Sequence, residues 1–393
     1  MKGYSRSTVA VATRPSLRVA STFRLMVLLT LAAGWIGWQQ MAHAADWSRF
    51  RGDDRNTGVA AGDLPANPQI LWSYQTPDSI ETTPAIVGNM VYVTALDEHL
   101  YALDLAKGSL VWKFKAEDEI KSSPSVYRGI VYFGDELGHF YALDAKTGEK
   151  RWSFQTDGGV ISSGTFQDDT VFFGSYDAFV YALNAATGEK LWSFETGGYV
   201  HGTPAVSEEG IAVAGCDGLM RILDPKTGKE LGQVEMGGYV AGSVMVHERV
   251  GYVGTFENQV LAVHLGRGET LWTYEHPQRK FAFYSSPTMA NGKTMFIGGR
   301  DKMMHAIDMA TGKGLWTFAV RTKIDSSPVA VGDHLLFGDL AGKVYLLEQQ
   351  TGKKVWEFDT GDAVAGSPAV VDGKFVITLT NGMILCFGES KES

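Results

Sequence analysis

Tyr141-Ala142-Leu143-Asp144-Ala145-Lys146-Thr147-Gly148-Glu149-Lys150-Arg151-Trp152 decides the fold, because it reads as a strand, a tight turn and a second strand. Asp144 can bond the backbone of its own turn, and Gly148 supplies the positive φ that side chains resist. Beyond the turn, Trp152 and Phe154 alternate with Arg151 and Ser153, so both aromatic rings leave the same face. The pattern recurs in Tyr181-Ala182-Leu183-Asn184, Thr187-Gly188 and Trp192, and again in His305-Ala306-Ile307-Asp308, Thr311-Gly312 and Trp316. Trp72, Trp112, Trp152 and Trp192 stand 40 residues apart. Gly232 takes the next slot, Trp272 returns at 40, Trp316 follows after 44, and Trp356 after 40 more.

A period in this range marks a stacked repeat architecture. Each unit divides into four short strands. In the second unit these are the segment from Ser123-Pro124, the alternating run Ile130-Val131-Tyr132-Phe133, the strand Phe140 to Leu143, and the tryptophan strand. One such sheet cannot cover both faces, but sheets stacked around an axis cover one another, with tryptophans wedged between neighbours. The last unit begins at Ser367-Pro368 and ends on a strand from Met383 to Phe387, with no tryptophan strand after it. Ile70-Leu71-Trp72-Ser73-Tyr74 is a tryptophan strand with no unit before it. Pairing the two removes both open edges. The expected fold is therefore all-β: an eight-bladed β-propeller of four-stranded antiparallel blades over residues 70–388, closed by the N-terminal strand in the C-terminal blade. Residues 45–69 are left as a strap, and 389–393 as a tail.

The first 44 residues differ in composition. Lys2, Arg6, Arg14, Arg18 and Arg24 precede an apolar run from Leu25 to Trp38, and Ala42-His43-Ala44 has small residues at a cleavage position. We read residues 1–44 as a signal peptide cleaved after Ala44. The alternative is a retained anchor, but 14 residues fall short of the ~20 that span a bilayer as a helix. No cysteine precedes Cys216, so the reading is an exported protein, periplasmic or extracellular, soluble or peripherally membrane-associated, and not a lipoprotein. Without the leader the chain carries 30 basic and 44 acidic side chains, a formal charge of −14. That balance argues against nucleic acid and anionic membranes as primary partners.

The motif Tyr-Ala-Leu-Asp-x-x-Thr-Gly-x-x-x-Trp, as at Tyr141 to Trp152, resembles the repeat of pyrroloquinoline-quinone (PQQ)-type propellers. That family includes quinoprotein alcohol dehydrogenases, the BamB-type propeller of outer-membrane β-barrel assembly, and many exported propellers. Trp47-Ser48-Arg49-Phe50-Arg51-Gly52, with Asn56 and Gly58 behind it, resembles the mature start of such exported proteins. As structure, this segment is expected to be a strap laying its Trp and Phe on the side of the propeller. The resemblance to quinoprotein dehydrogenases would imply a disulfide between adjacent cysteines, a tryptophan floor, carboxylate and amide metal ligands and an Asp base. This chain has only Cys216 and Cys386, in the fourth and eighth units. Seven tryptophans (Trp72, Trp112, Trp152, Trp192, Trp272, Trp316 and Trp356) fill the repeat slot, where packing accounts for them. The expectation is therefore no cofactor and no metal, with PQQ and Ca²⁺ belonging to the alternative of a quinone-dependent oxidoreductase or degenerate quinone binder.

Specificity should sit where the repeat varies. The position three residues before the proline slot lies on the loop entering each blade and holds Glu81, Lys121, Ile161, His201, Ala241, Tyr284, Asp325 and Ala365. Glu81, Lys121, His201, Tyr284 and Asp325 are candidate groups for a polar ligand or a peptide at the channel mouth, and Glu81 with Lys121 is equally readable as a solvated salt pair. The 44-residue spacing falls partly in residues 275–284, a longer basic and aromatic loop in an acidic protein. Phe281, Phe283 and Tyr284, rimmed by Arg279 and Lys280, read either as a partner-binding patch or as a loop folded on the rim. No hydrolase elbow, zinc-protease motif, paired-cysteine metal spacing or phosphate loop occurs. Together these readings point to an exported, non-catalytic propeller that binds envelope proteins or peptides, resembling the outer-membrane assembly type.

Overall fold

The computed structural model describes residues 46–390; the leader and residues 391–393 lie outside the described residues. Eight antiparallel sheets form the ring. Blades 1 to 7 cover residues 85–115, 125–155, 165–195, 205–235, 245–275, 288–319 and 329–359. Blade 8 combines three strands within residues 369–388 with Gln69–Gln75 as its outer strand. That strand pairs antiparallel with Met383–Gly388, and Trp72 stands opposite Cys386. The expected closure is the observed one.

What joins the blades is a repeated latch. Each outer strand carries a bulge at the tryptophan slot, and at six of the eight joints the indole leans onto the strand-to-strand turn of the next blade. The indole N–H then donates to a backbone carbonyl of that turn: Trp72 to Leu105 (2.7 Å), Trp112 to Ala145 (3.2 Å), Trp152 to Ala185 (3.1 Å) and Trp192 to Pro225 (3.0 Å). Trp272 and Trp316 do the same to Met309 (2.9 Å) and Gln349 (3.0 Å). The turn glycine lies under the indole. A Cβ on Gly148 would stand 2.6 Å from the Trp112 ring, on a backbone with φ of +75°. The Thr-Gly turn is thus built to receive its neighbour's tryptophan. In blade 2 the carboxylate of Asp144 shapes it by accepting the amides of Lys146 (2.9 Å) and Thr147 (3.0 Å).

Toward the axis the blades are joined by hydroxyls. Thr83 N–H donates to Ser123 Oγ (3.0 Å), Ser163 N–H to Thr203 Oγ1 (3.2 Å), and Thr203 N–H to Ser243 Oγ (2.8 Å). Ser243, Ser286 and Ser327 continue the series, and Ser367 N–H closes it on Thr83 Oγ1 at 3.1 Å. All eight of these side chains are buried.

The strap is placed differently from the expectation: it runs inside the channel, not along the propeller's side. Its backbone and Asp54 accept an amide from the innermost strand of seven blades. Ile86, Val126, Phe166, Val206, Val246, Met289 and Ala330 are donors, to Trp47, Ser48, Asp54 (twice), Arg55, Thr57 and Gly58. Val59–Ala60 pairs parallel with Val329–Val331 as a fifth strand in blade 7. Arg51 is fully buried and donates from one Nη to the carbonyls of Pro287 (3.2 Å) and Pro328 (2.6 Å). Asn56 serves Thr203 and Val244 in the same way, at 3.1 Å each. The physical reason is hydrogen-bond demand. Inner edges of eight blades present unpaired backbone groups to the axis, and an extended segment can satisfy them.

Two substitutions test the latch. Gly148→Ala should destabilise the protein by at least about 2 kcal/mol, from positive φ and overlap with Trp112. Gly232 has open space where a side chain would go. Gly232→Trp should fill the vacant slot and add about 1 kcal/mol, read as a higher midpoint in chemical denaturation.

Candidate functional site

The strap leaves the channel open at one end. Above it lies a cavity of about 870 Å³, with Phe50 of the strap among its lining side chains. All eight variable positions of the entering loops line it: Glu81, Lys121, Ile161, His201, Ala241, Tyr284, Asp325 and Ala365. Local packing puts them there. The residue just before each is a buried Ile, Val or Phe, and in five of the eight it is seated over the glycine that ends a second strand. A Cβ on Gly134, Gly174, Gly254, Gly298 or Gly338 would come within 2.2–2.5 Å of Val160, Val200, Phe283, Ile324 or Val364. With that side chain held inward, the next one turns toward the axis.

The same packing separates the residues of the 275–284 loop. Phe283 fills the Ile/Val slot at 2% exposure, so it is core and not part of a surface patch. Tyr284 lines the cavity, and Phe281 is exposed. Arg279 donates to the Asp301 carbonyl at 2.8 Å, and Lys280 is exposed. The alternating inward and outward directions of successive residues divide what the sequence presents as one cluster.

A second variable column lies outside the candidates named from the sequence, and its one sequence signal is the repeat spacing. Leu96, Glu136, Tyr176, Cys216, Phe256, Arg300, Leu340 and Thr380 follow the same spacing as the tryptophans. Glu136, Tyr176, Arg300, Leu340 and Thr380 reach the cavity. They partner the first column. Lys121 meets Glu136 at 2.8 Å and Glu119 at 3.7 Å, so its ion-pair partners are these and not Glu81, the salt-pair alternative read from the sequence. Arg300 Nε and Nη2 each reach a carboxylate oxygen of Asp325 at 2.9 Å, and its guanidinium lies 4.2 Å from the centroid of the Tyr284 ring. His201 Nδ1 and the Tyr176 hydroxyl are 2.7 Å apart.

These contacts and burial shift pKa values. The hydrogen bond to Glu136 raises the Lys121 pKa, and the one to Asp325 raises that of Arg300. Burial raises the hydroxyl pKa of Tyr176 and of Tyr284. Burial also lowers His201 below its ordinary 6.5, against a smaller opposing pull from Glu136.

The family model for outer membrane protein assembly factor BamB matches residues 5–160, 142–275 and 300–388. The chain belongs to the BamB family. Among solved structures, BamB from Moraxella catarrhalis superposes with a TM-score of 0.71 at 18% identity, over 82% of this chain and 100% of that one. A quinohemoprotein alcohol dehydrogenase from Pseudomonas putida HK5 gives 0.75 at 14% identity, covering 89% of this chain and 81% of that one. A europium-containing methanol dehydrogenase gives 0.72 at 12%, covering 88% and 98%. At these identities the likeness is one of fold. No curated protein sequence matches the chain.

Fold likeness to quinoproteins raises the question of fit, and the residues do not fit the cofactor. Cys216 and Cys386 are unpaired thiols in blades 4 and 8, across the ring from each other. The cavity lining includes Phe50 and no tryptophan that could serve as a floor. The carboxylates of Glu136 and Asp325 are committed to Lys121 and Arg300. Among the described residues no three His, Cys, Asp or Glu side chains stand close enough to hold a metal ion.

The depressed His201 pKa has a stability consequence. Between the unfolded value near 6.5 and the lower folded value, the unfolded chain binds the extra proton, so stability falls with falling pH. Wild type should lose melting temperature below about pH 6.5 more steeply than His201→Gln. Parallel melting curves from pH 7.5 to 4.5 measure it.

Proposed function

We propose that this member of the BamB family is an exported, non-catalytic scaffold of the cell envelope that takes envelope proteins or peptides at the open channel mouth. The observation that supports this reading most is the mutual pairing of the charged side chains in the cavity wall. General acid–base work needs a group poised near the working pH. Lys121 and Arg300 are instead paired with Glu136 and Asp325, and burial raises the hydroxyl pKa of Tyr176 and Tyr284 and lowers that of His201. A wall of varied, paired charges and aromatic faces on a rigid frame suits recognition.

The matching family model is that of an outer membrane protein assembly factor, which favours envelope proteins as the partners. A photo-crosslinking residue at Glu81, which lines the cavity, or at exposed Tyr199, which stacks on cavity-lining Tyr176, should capture outer-membrane assembly proteins in living cells. The same residue on the outer strand at Leu191 should not. Saturable, Ca²⁺-dependent PQQ binding with dye reduction by the purified protein would overturn the proposal.

A further inference from the structure

The mouth is electrically polarised across its diameter. The loops entering blades 1 and 2 carry Asp78, Glu81, Glu117, Asp118 and Glu119 against a single Lys121. The loops entering blades 6 and 7 carry Arg279, Lys280, Arg321 and Lys323 against a single Asp325. The four basic side chains are exposed, as are Asp78, Glu81, Glu117 and Glu119. In a ring of eight, blades 2 and 6 stand opposite each other, so an acidic pole faces a basic one.

Along one side, an aromatic arc connects the poles. Tyr176 stacks on Tyr199 with centroids 4.8 Å apart and planes 8° apart. His201 follows, bonded to Tyr176 and meeting Tyr284 edge-on at 6.1 Å. Phe256 meets the other edge of the arc, at 6.1 Å from Tyr284. Tyr199, Tyr239 and Phe281 are 55%, 61% and 55% exposed, high for large rings in a protein that elsewhere buries them. The opposite side, on blades 7 and 8, presents the smaller or aliphatic Leu340, Ala363, Ala365 and Thr380.

Given the scaffold reading above, on which this step rests, we infer that the mouth takes an extended peptide segment of divided charge. Cationic side chains lie at the blade 1–2 pole, anionic ones at the blade 6–7 pole, and an aromatic or apolar side chain rests on the exposed rings of Tyr199 and Tyr239, at equivalent positions of the loops entering blades 4 and 5. Charge complementarity selects this occupant. A uniformly acidic segment is repelled by one pole and a uniformly basic one by the other, whereas a segment of divided charge satisfies both and is aligned by them. The exposed rings supply the apolar contact that aligned charges alone lack.

The test uses the full protein and four fluorescent peptides of about ten residues, long enough to reach ~33 Å when extended. One has lysines at one end, glutamates at the other and two tryptophans between; the others are all-basic, all-acidic, or divided in charge with alanines for tryptophans. The divided aromatic peptide should bind at least about tenfold tighter than each of the others, and more weakly as salt rises. Glu117→Lys with Glu119→Lys, and separately Tyr199→Ala with Tyr239→Ala, should each cost about tenfold without changing the melting temperature, since these side chains are exposed. Equal binding of the four peptides, binding of none, or indifference to both double variants would overturn the inference. If mouth crosslinks to envelope proteins persist in that case, the scaffold reading stands and only the divided-charge occupant fails. Loss of those crosslinks together with PQQ binding removes both.

Discussion

The indole over the neighbour's turn glycine is the contact on which the ring depends. Single four-stranded blades have two apolar faces and little else, so they are stable only in contact. The latch adds direction to that contact. Trp112 can bond Ala145 only when the next blade presents its turn at one distance and angle, and the bare Gly148 beneath makes room for the ring. Repetition of this geometry, together with the buried hydroxyl series from Thr83 through Ser367, sets a uniform step between blades. The series is interrupted at Gly232, where shared core between blades 4 and 5 remains, and at Trp356, which packs on Phe375 and Phe387 of blade 8 instead; neither opens the ring.

A rigid frame of this kind separates stability from recognition. The side chains that step inward carry the core, and those one residue later face the cavity free of packing duties. Variation among Glu81, Lys121, His201, Tyr284 and Asp325 therefore costs the fold little. The strap completes the division by taking up the inner strands' amides and leaving a single open mouth. Arg51 and Asn56 carry that role into the axis itself, where they meet carbonyls of blades 4 to 7.

The frame was legible because each of its devices repeats. Tryptophan spacing, Thr-Gly turns and the orphan strand at Trp72 led to the blade number and the closure. The first cavity column was legible for the same reason, being the irregular position beside a regular one. Three features were not. Arg300 and Glu136 lie on a different loop from their partners, and nothing local in sequence joins Arg300 to Asp325. Phe283 reads as part of an aromatic cluster, and only its seat over Gly254 reveals it as core. The strap's path depends on unpaired edges that exist only once the ring has closed, so its own Trp47-to-Gly58 sequence cannot disclose it.

The claim that the strap closes one end, leaving recognition to the other, is tested most directly by hydrogen exchange at the innermost strands. Amides of Ile86, Val126, Val206, Val246 and Ala330 should exchange slowly in the native protein. Replacing residues 47–58 with a Gly-Ser segment should deprotect them selectively, with the second and third strands of each blade still protected. Fast exchange at these amides in the native protein, or no change on replacement, would contradict a channel closed by the strap.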